Sequence, residues 1–142
     1  MVIRVYKNGE FVFDIDNPGR LPNLVPLEEQ DEFNLDADDL AAWRAEERLN
    51  AVRGEAQRRM MALLGARTSA HLEIKISNGS REAIRLLRKG EANWTQEEAT
   101  SAAQLQQADQ AVEGIRAASN VLEAMDPVPD NYKHDKHWGG SL

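Results

Sequence analysis

The sequence predicts a mainly α-helical protein, with an N-terminal β-hairpin, then long helices that form a helical hairpin or a coiled coil, and an extended C-terminal tail. The 142 residues are 42% hydrophobic but only 6% aromatic, and alanine, which favours helix but buries little area, is common among them. Apolar residues recur at three- and four-residue spacing over two long stretches. These features divide the chain into a hairpin docking element (1–16), a proline-containing extended linker (17–35), a long-helix domain (36–125) and an extended tail (126–142).

The composition argues against several classes of partner. A net charge of −7 disfavours nucleic acid, because binding to phosphates needs a basic surface. The chain has no cysteine, so it forms no disulfide or thiolate metal site. Its start soon reaches charged residues, unlike a signal peptide, and no stretch has the roughly 20 apolar residues of a membrane span. We therefore expect a soluble protein made in a cytoplasm, with neither a membrane nor nucleic acid as partner.

The N-terminal residues predict a β-hairpin. Residues 2–6 and 11–15 are rich in β-branched and aromatic side chains, and Asn8-Gly9 between them favours a type I′ turn. An isolated two-stranded hairpin is marginally stable in water, so either a helix of the chain or a docking partner must cover its apolar face. Depending on the register, that face consists of Ile3, Val5, Phe11 and Phe13.

Residues 17–35 contain Pro18, Pro22 and Pro26, which predict an extended segment. The segment is too apolar for a free linker, so we expect it to lie along a surface. Acidic residues without a lysine or arginine follow from Glu28 to Asp39. Such a run is typical of a helix start, where acids favour the positive end of the helix dipole; a metal site or a basic partner is the alternative.

The first long helix is predicted to begin at Asp36, which supplies the N-cap, and to end near Leu64. Gly54 interrupts it at a cost of about 1 kcal/mol relative to alanine. Its apolar side chains trace one face of the helix, at Ala45, Leu49, Val52, Ala56, Met60 and Leu63.

Residues 66–90 fit two structures. Residues 71–76 alternate like a strand, and Asn78-Gly79 resembles a turn. The same segment, taken as helix, aligns the apolar side chains of Leu72, Ile76, Ala83 and Leu87 on one face. We favour helix for most of it.

The last helix has the clearest pattern. Thr95 and Glu98 have the spacing of a capping box, and thirty helical residues would give a rod of roughly 45 Å. The rod pairs either with the preceding helix, in a hairpin across residues 90–94, or with copies of itself; we favour the hairpin. Its apolar positions follow a heptad-like pattern, at Leu105, Ala108, Val112, Ile115, Ser119 and Leu122.

The tail begins where Pro127 and Pro129 prevent helix. Tyr132 and Trp138 are candidate anchors to other proteins. His134 and His137 are three residues apart without a preorganised third ligand, so a polar tail is favoured over a metal site. The chain shows no phosphate-binding loop, nucleophile elbow or paired catalytic carboxylates, and we expect neither enzymatic activity nor a cofactor.

Four stretches of the chain form a recognisable set: residues 115–125 (IRAASNVLEAM), 126–132 (DPVPDNY), 71–75 (HLEIK) and 93–99 (NWTQEEA). They resemble small bacteriophage and prophage tail-associated proteins, of the kind described as tail-fibre assembly proteins, and the resemblance covers residues 37–138. It implies a short β-rich N-terminus and a helical C-terminal half that includes the segment around Leu72, and it offers no catalytic residues to carry over to this sequence.

The leading hypothesis is therefore a phage tail-associated structural or assembly protein that contacts other tail or fibre proteins and copies of itself, in the virion or in the host cytoplasm during assembly. The alternatives are a fibre-assembly chaperone that leaves the particle and a small regulatory or nucleic-acid-binding helical module. The expected interface residues are Leu105, Ala108, Val112, Ile115 and Leu122 of the last helix, Leu49, Val52, Met60 and Leu63 of the first, and Tyr132 and Trp138 of the tail.

Overall fold

A computed structural model describes residues 1–139. The protein is mainly α-helical with a small N-terminal antiparallel sheet, as the sequence predicts. It forms two compact units, Met1–Asn50 and Ala51–Leu142. The strands are β1 (Ile3–Lys7), β2 (Glu10–Ile15) and β3 (Phe33–Leu35), the helices are α1 (Leu21–Leu24), α2 (Ala37–Leu64), α3 (Ser69–Lys89) and α4 (Gln96–Glu123), and short 3-10 helices cover Pro18–Arg20, Leu27–Glu32, Glu91–Asn93 and Asp135–Trp138.

The hairpin of the first unit has the predicted two-residue turn. Asn8 and Gly9 both adopt positive φ, at 51° and 86°, as a type I′ turn requires. A β-bulge between Val5 and Tyr6 shifts the register, so that Phe11 pairs with Tyr6 rather than with a residue of the buried face. The expectation that Phe11 lies on the apolar face is therefore wrong: its side chain is exposed and packs edge-on against Tyr6.

The apolar face of the hairpin is covered by the chain itself. Ile3, Val5 and Ile15 are buried, and Leu40 and Trp43 of α2 pack against them. The hairpin thus belongs to the core of the first unit. Of the two alternatives given above, a helix of the chain, and not a docking partner, packs on its apolar face.

The segment predicted as an extended linker, residues 17–35, is folded. It contains α1, two 3-10 helices and β3, which pairs antiparallel with β1 and makes β1 the central strand. Proline explains part of the difference, because it is favoured in the first turn of a helix as well as in extended chain. Pro18 and Pro22 occupy such first-turn positions.

The acidic run before α2 has structural partners. The backbone N–H of Asp39 donates to the Asp36 carboxylate at 2.9 Å, so Asp36 caps α2 as predicted. The Arg4 side chain of β1 donates to the Asp39 carboxylate at 2.8 Å, and this hydrogen bond lowers the pKa of Asp39 below its ordinary value. Lys7 lies 3.6 Å from both Glu29 and Glu32. The run is thus paired with β1 within the first unit.

The second unit contains the ambiguous segment, and it is helical. Thr68 caps α3 by accepting a hydrogen bond from the backbone of His71, and Gly90 ends the helix with a φ of 85°. Thr95 and Glu98 form the predicted capping box at the start of α4. Asn78-Gly79 makes no turn, because α3 continues through these residues and buries Leu72 on one side of them and Leu86 on the other.

The core of the second unit lies between the C-terminal part of α2 and the C-terminal half of α4. Val52 and Ala56 are buried there with Ile115, Leu122 and Trp138, and the partly buried residues Met60, Leu63, Ala118, Val128 and Tyr132 pack against them. Arg53 of α2 also pairs with Glu123 of α4. Within residues 1–139, no helix is long and apolar enough to cross a membrane.

We predict opposite effects for two glycine-to-alanine substitutions. Gly54 lies inside α2 with open space where a Cβ would be, so Gly54→Ala should raise the free energy of unfolding by about 1 kcal/mol. Gly90 has a φ of +85°, which strains any side chain, so Gly90→Ala should lower it by about 2 kcal/mol. Urea unfolding followed by circular dichroism measures both values. Equal shifts in the same direction would contradict the helix boundaries given above.

Candidate protein-binding groove

A groove runs between α3 and α4 in the second unit. Its volume is about 1010 Å³. Short side chains form much of its lining, because alanine, serine and glycine occupy positions of both helices that face it. They include Gly79, Ser80 and Ala83 of α3 and Ala99, Ala102 and Ala108 of α4. These side chains are too short to fill the space between two helices, so the groove remains open.

Two large apolar side chains lie at the groove without being buried in it. Leu87 is 79% exposed and Ile84 is 49% exposed, and both line the groove. Leu86, next to them in sequence, is buried. An exposed leucine alone needs no explanation, but adjacent apolar residues at the rim of an open apolar groove are typical of a protein-binding surface.

Polar contacts join the two helices at the turn between them, beside the groove. The Trp94 indole donates to the carbonyl of Leu86 at 2.8 Å. Glu98 accepts hydrogen bonds from Lys89 at 2.6 Å and from Arg85 at 3.2 Å. The Lys89 hydrogen bond, followed by that from the Thr95 backbone, lowers the pKa of Glu98 to about 2. The same carboxylate therefore caps α4 and links it to α3.

The two helices carry opposite charge. Helix α3 has five basic and two acidic side chains, for a net charge of +3, whereas α4 has one basic and five acidic side chains, for −4. Lys75 of α3 and Asp109 of α4 both line the groove. Within residues 1–139, the ion pairs of these helices involve other side chains and leave Lys75 and Asp109 without an ionic partner.

The predicted interface residues separate into two groups. Leu105, Ala108 and Val112 line the groove, and a Cβ on Gly79 would lie 3.5 Å from a methyl carbon of Leu105. The other group belongs to the core cluster of the second unit and consists of Ile115, Leu122, Val52, Met60 and Leu63. Leu49 is half-buried and lies outside both apolar clusters of the described residues.

Both tail anchors contact the core of the second unit, and the burial of Trp138 corrects the expectation that this residue contacts a neighbouring protein. Trp138 is 3% exposed within the core cluster, and Tyr132 packs against that cluster. The Trp138 indole donates to the carbonyl of Tyr132 at 2.7 Å. The tail is not extended as predicted but turns back, with the 3-10 helix Asp135–Trp138 near its end; residues 140–142 of the predicted tail lie outside the described residues.

A buried arginine holds the tail in place. The Arg59 guanidinium, 6% exposed, donates to Glu55 at 3.0 Å, to the carbonyl of Lys133 at 2.9 Å and to Asp135 at 2.9 Å. It also lies 5.0 Å from the centre of the Trp138 ring. Hydrogen bonds from Arg58 and then Arg59 lower the pKa of Glu55. Arg59 therefore joins α2 to the tail through charge, hydrogen bonds and ring contact at once.

Two sets of residues at these sites, Ile84 with Leu87 and Arg59, lie outside the predicted interface. Ile84 and Leu87 were absent from the predicted interface, although the shared face of Leu72, Ile76, Ala83 and Leu87 was visible as a pattern. Arg59 was missed because nothing in its local sequence distinguishes it from the other arginines of α2; only the folded tail gives it partners.

Other candidate sites carry no comparable signal. In the described part of the chain, no group of three metal-ligating side chains comes together; the His137 ring contacts Asn131 at 3.0 Å, and His134 accepts a hydrogen bond from the Lys136 backbone. A second cavity of about 570 Å³ lies in the first unit, where Arg20 already pairs with Asp16 at 3.0 Å.

Comparison of the chain with protein-family models, with curated proteins and with solved structures finds no match.

We predict that Trp138→Ala lowers the free energy of unfolding by about 4 kcal/mol, as expected for removing a buried aromatic side chain. Lys136→Ala, an exposed change in the same turn, is the matched control and should leave stability within about 0.5 kcal/mol. Urea unfolding followed by Trp fluorescence and circular dichroism provides the measurement. If Trp138→Ala matched the control, the tail would not belong to the core.

We also predict a pH-dependent role for Glu98. Its pKa is lowered from about 4.5 to about 2 in the folded protein, so the folded state binds this proton less readily than the unfolded state. The stabilisation is fully present above about 4.5 and is lost as the pH falls toward about 2. Thermal unfolding of the wild type and Glu98→Gln should therefore differ at neutral pH and converge in acid; a constant difference would contradict the assigned ion pairs.

Proposed function

We propose that this chain is a non-enzymatic structural or assembly protein of a bacteriophage tail, acting through helix-mediated contacts with other proteins. The observation that carries the protein-binding part is the open α3–α4 groove with Leu87 and Ile84 exposed at its rim. Grooves between helices bind apolar helical faces by burying such side chains. The phage context rests on the sequence resemblance of residues 37–138.

The groove supports binding to protein rather than to a small polar ligand. Its lining is formed chiefly by aliphatic side chains and alanines, with Lys75 and Asp109 among the few charged residues. An apolar helical face buried against α3 and α4 gains stability in proportion to the area removed from water. A partner helix needs a periodic apolar stripe and few charges on that stripe.

The test uses a groove-blocking substitution in the phage or prophage that encodes the chain. Ala83 is exposed and lines the groove, so Ala83→Arg fills the groove without disturbing a buried position. Ile74→Arg is the matched control, because Ile74 is an exposed residue of the same helix that does not line the groove. We expect Ala83→Arg to abolish or strongly reduce particle infectivity and Ile74→Arg to leave it near wild type.

Mass spectrometry of purified particles distinguishes the versions of the proposal. A fixed ratio of this chain to the tail proteins supports a structural protein. If the chain is absent from purified particles but fibre assembly requires it, the alternative of an assembly chaperone that leaves the particle is supported. Particles that assemble and infect normally without the chain contradict both, and tight sequence-specific DNA binding at moderate salt favours the regulatory module instead.

A further inference from the structure

We infer that the occupant of the α3–α4 groove is the α3–α4 pair of a second copy of this chain, so that two copies form a four-helix bundle about a two-fold axis parallel to the helices. The inference rests on the proposed function, because it assigns a partner to the proposed binding surface. It is carried by charge complementarity and by the matching of large and small side chains on one surface.

The turn between the helices determines which residues lie at the same height. Because the chain reverses direction between Lys89 and Gln96, positions equally far from the turn lie at the same height; Gly79 and Leu105 illustrate this, since a Cβ added to Gly79 would lie 3.5 Å from Leu105. Lys75 and Asp109 are such a pair of positions. A two-fold axis parallel to the helices preserves height, so each residue of one copy meets the same level of its partner.

The charges of the helices select one arrangement of the bundle. With helices ordered α3, α4, α3, α4 around the bundle, every basic α3, of net charge +3, neighbours two acidic α4 helices, of net charge −4. The alternative order places two α3 helices side by side and brings like charges together, which is disfavoured. In the favoured order, Lys75 of one copy lies level with Asp109 of the other, and the two-fold axis repeats this ion pair.

The same order pairs large side chains with small ones. Leu87 and Ile84 lie level with Ala99 and Ala102 of the facing α4, since they are at similar distances from the turn. The leucine, 79% exposed in one copy, thereby enters a part of the partner's groove that alanines leave open. A two-fold interface requires a self-complementary patch, and this surface provides both the projecting and the receiving residues.

The first measurement is the mass of the full-length chain in solution by light scattering and sedimentation at low ionic strength. We expect a dimer. Leu87→Ser should weaken it more than tenfold while leaving the unfolding of the dissociated chain unchanged, because Leu87 is exposed within one copy. A monomeric wild type, or a dimer unaffected by Leu87→Ser, would overturn the inference.

The second measurement uses charge reversal at the proposed ion pair. Lys75→Glu alone and Asp109→Lys alone should each weaken the dimer by about tenfold, because attraction becomes repulsion at two symmetric contacts. An equal mixture of the two variants should recover wild-type affinity, since every contact across the interface is then attractive again. Helicity of each variant by circular dichroism confirms that the fold is retained.

The mixing experiment separates contacts between copies from contacts within one copy. If each variant weakened the dimer but the mixture did not recover, Lys75 and Asp109 would not face each other across an interface, and the inference would fail. If the wild-type chain is monomeric but Ala83→Arg still impairs particle assembly, the inferred dimer is wrong and the proposed function is supported. Loss of infectivity equally in Ala83→Arg and Ile74→Arg would instead count against the proposed function.

Discussion

The apolar volume available along α4 determines much of the architecture of the second unit. In its C-terminal half, Ile115 and Leu122 are large enough to pack against α2 and become almost fully buried. In its N-terminal half, the short side chains of Ala99, Ala102 and Ala108 line a space of about 1010 Å³ next to α3 and do not fill it. Close packing needs atoms on both sides of an interface. The C-terminal half of α4 therefore forms a packed core with α2, whereas its N-terminal half borders an open groove.

The core between α2 and the C-terminal half of α4 also requires residues of the tail. Val52 and Ala56 are small residues on α2, and the tail supplies the missing volume through Trp138. A tail segment that orders itself loses conformational entropy, and Arg59 offsets this cost with a charged hydrogen bond to Asp135, a second to a backbone carbonyl and a ring contact. Burying an arginine is unfavourable without such partners, so the arginine and the tail each depend on the other.

The elements that the sequence predicted correctly are those with long periodic signals or specific end chemistry. The capping box of Thr95 and Glu98, the turn at Asn8-Gly9 and the cap at Asp36 all depend on residues close in sequence. The missed features depend on distant partners: β3 exists because β1 has a free edge, and Trp138 is buried because α2 and α4 leave room for it. Only part of the α3–α4 groove could be predicted from the sequence. The periodic apolar face of α3 follows from the spacing of its residues, but its exposure depends on how α4 packs against it.

The separation of charge between α3 and α4 bears on which partners the proposed binding surface would accept. A single copy keeps an overall charge of −7, which disfavours indiscriminate association. The helices beside the groove nevertheless carry opposite signs, so the local field favours one orientation of an incoming helix pair over others. In the proposed dimer, apolar burial in the groove would supply affinity for many helical faces, whereas Lys75 and Asp109, which line the groove, would discriminate among them more than the alanines do.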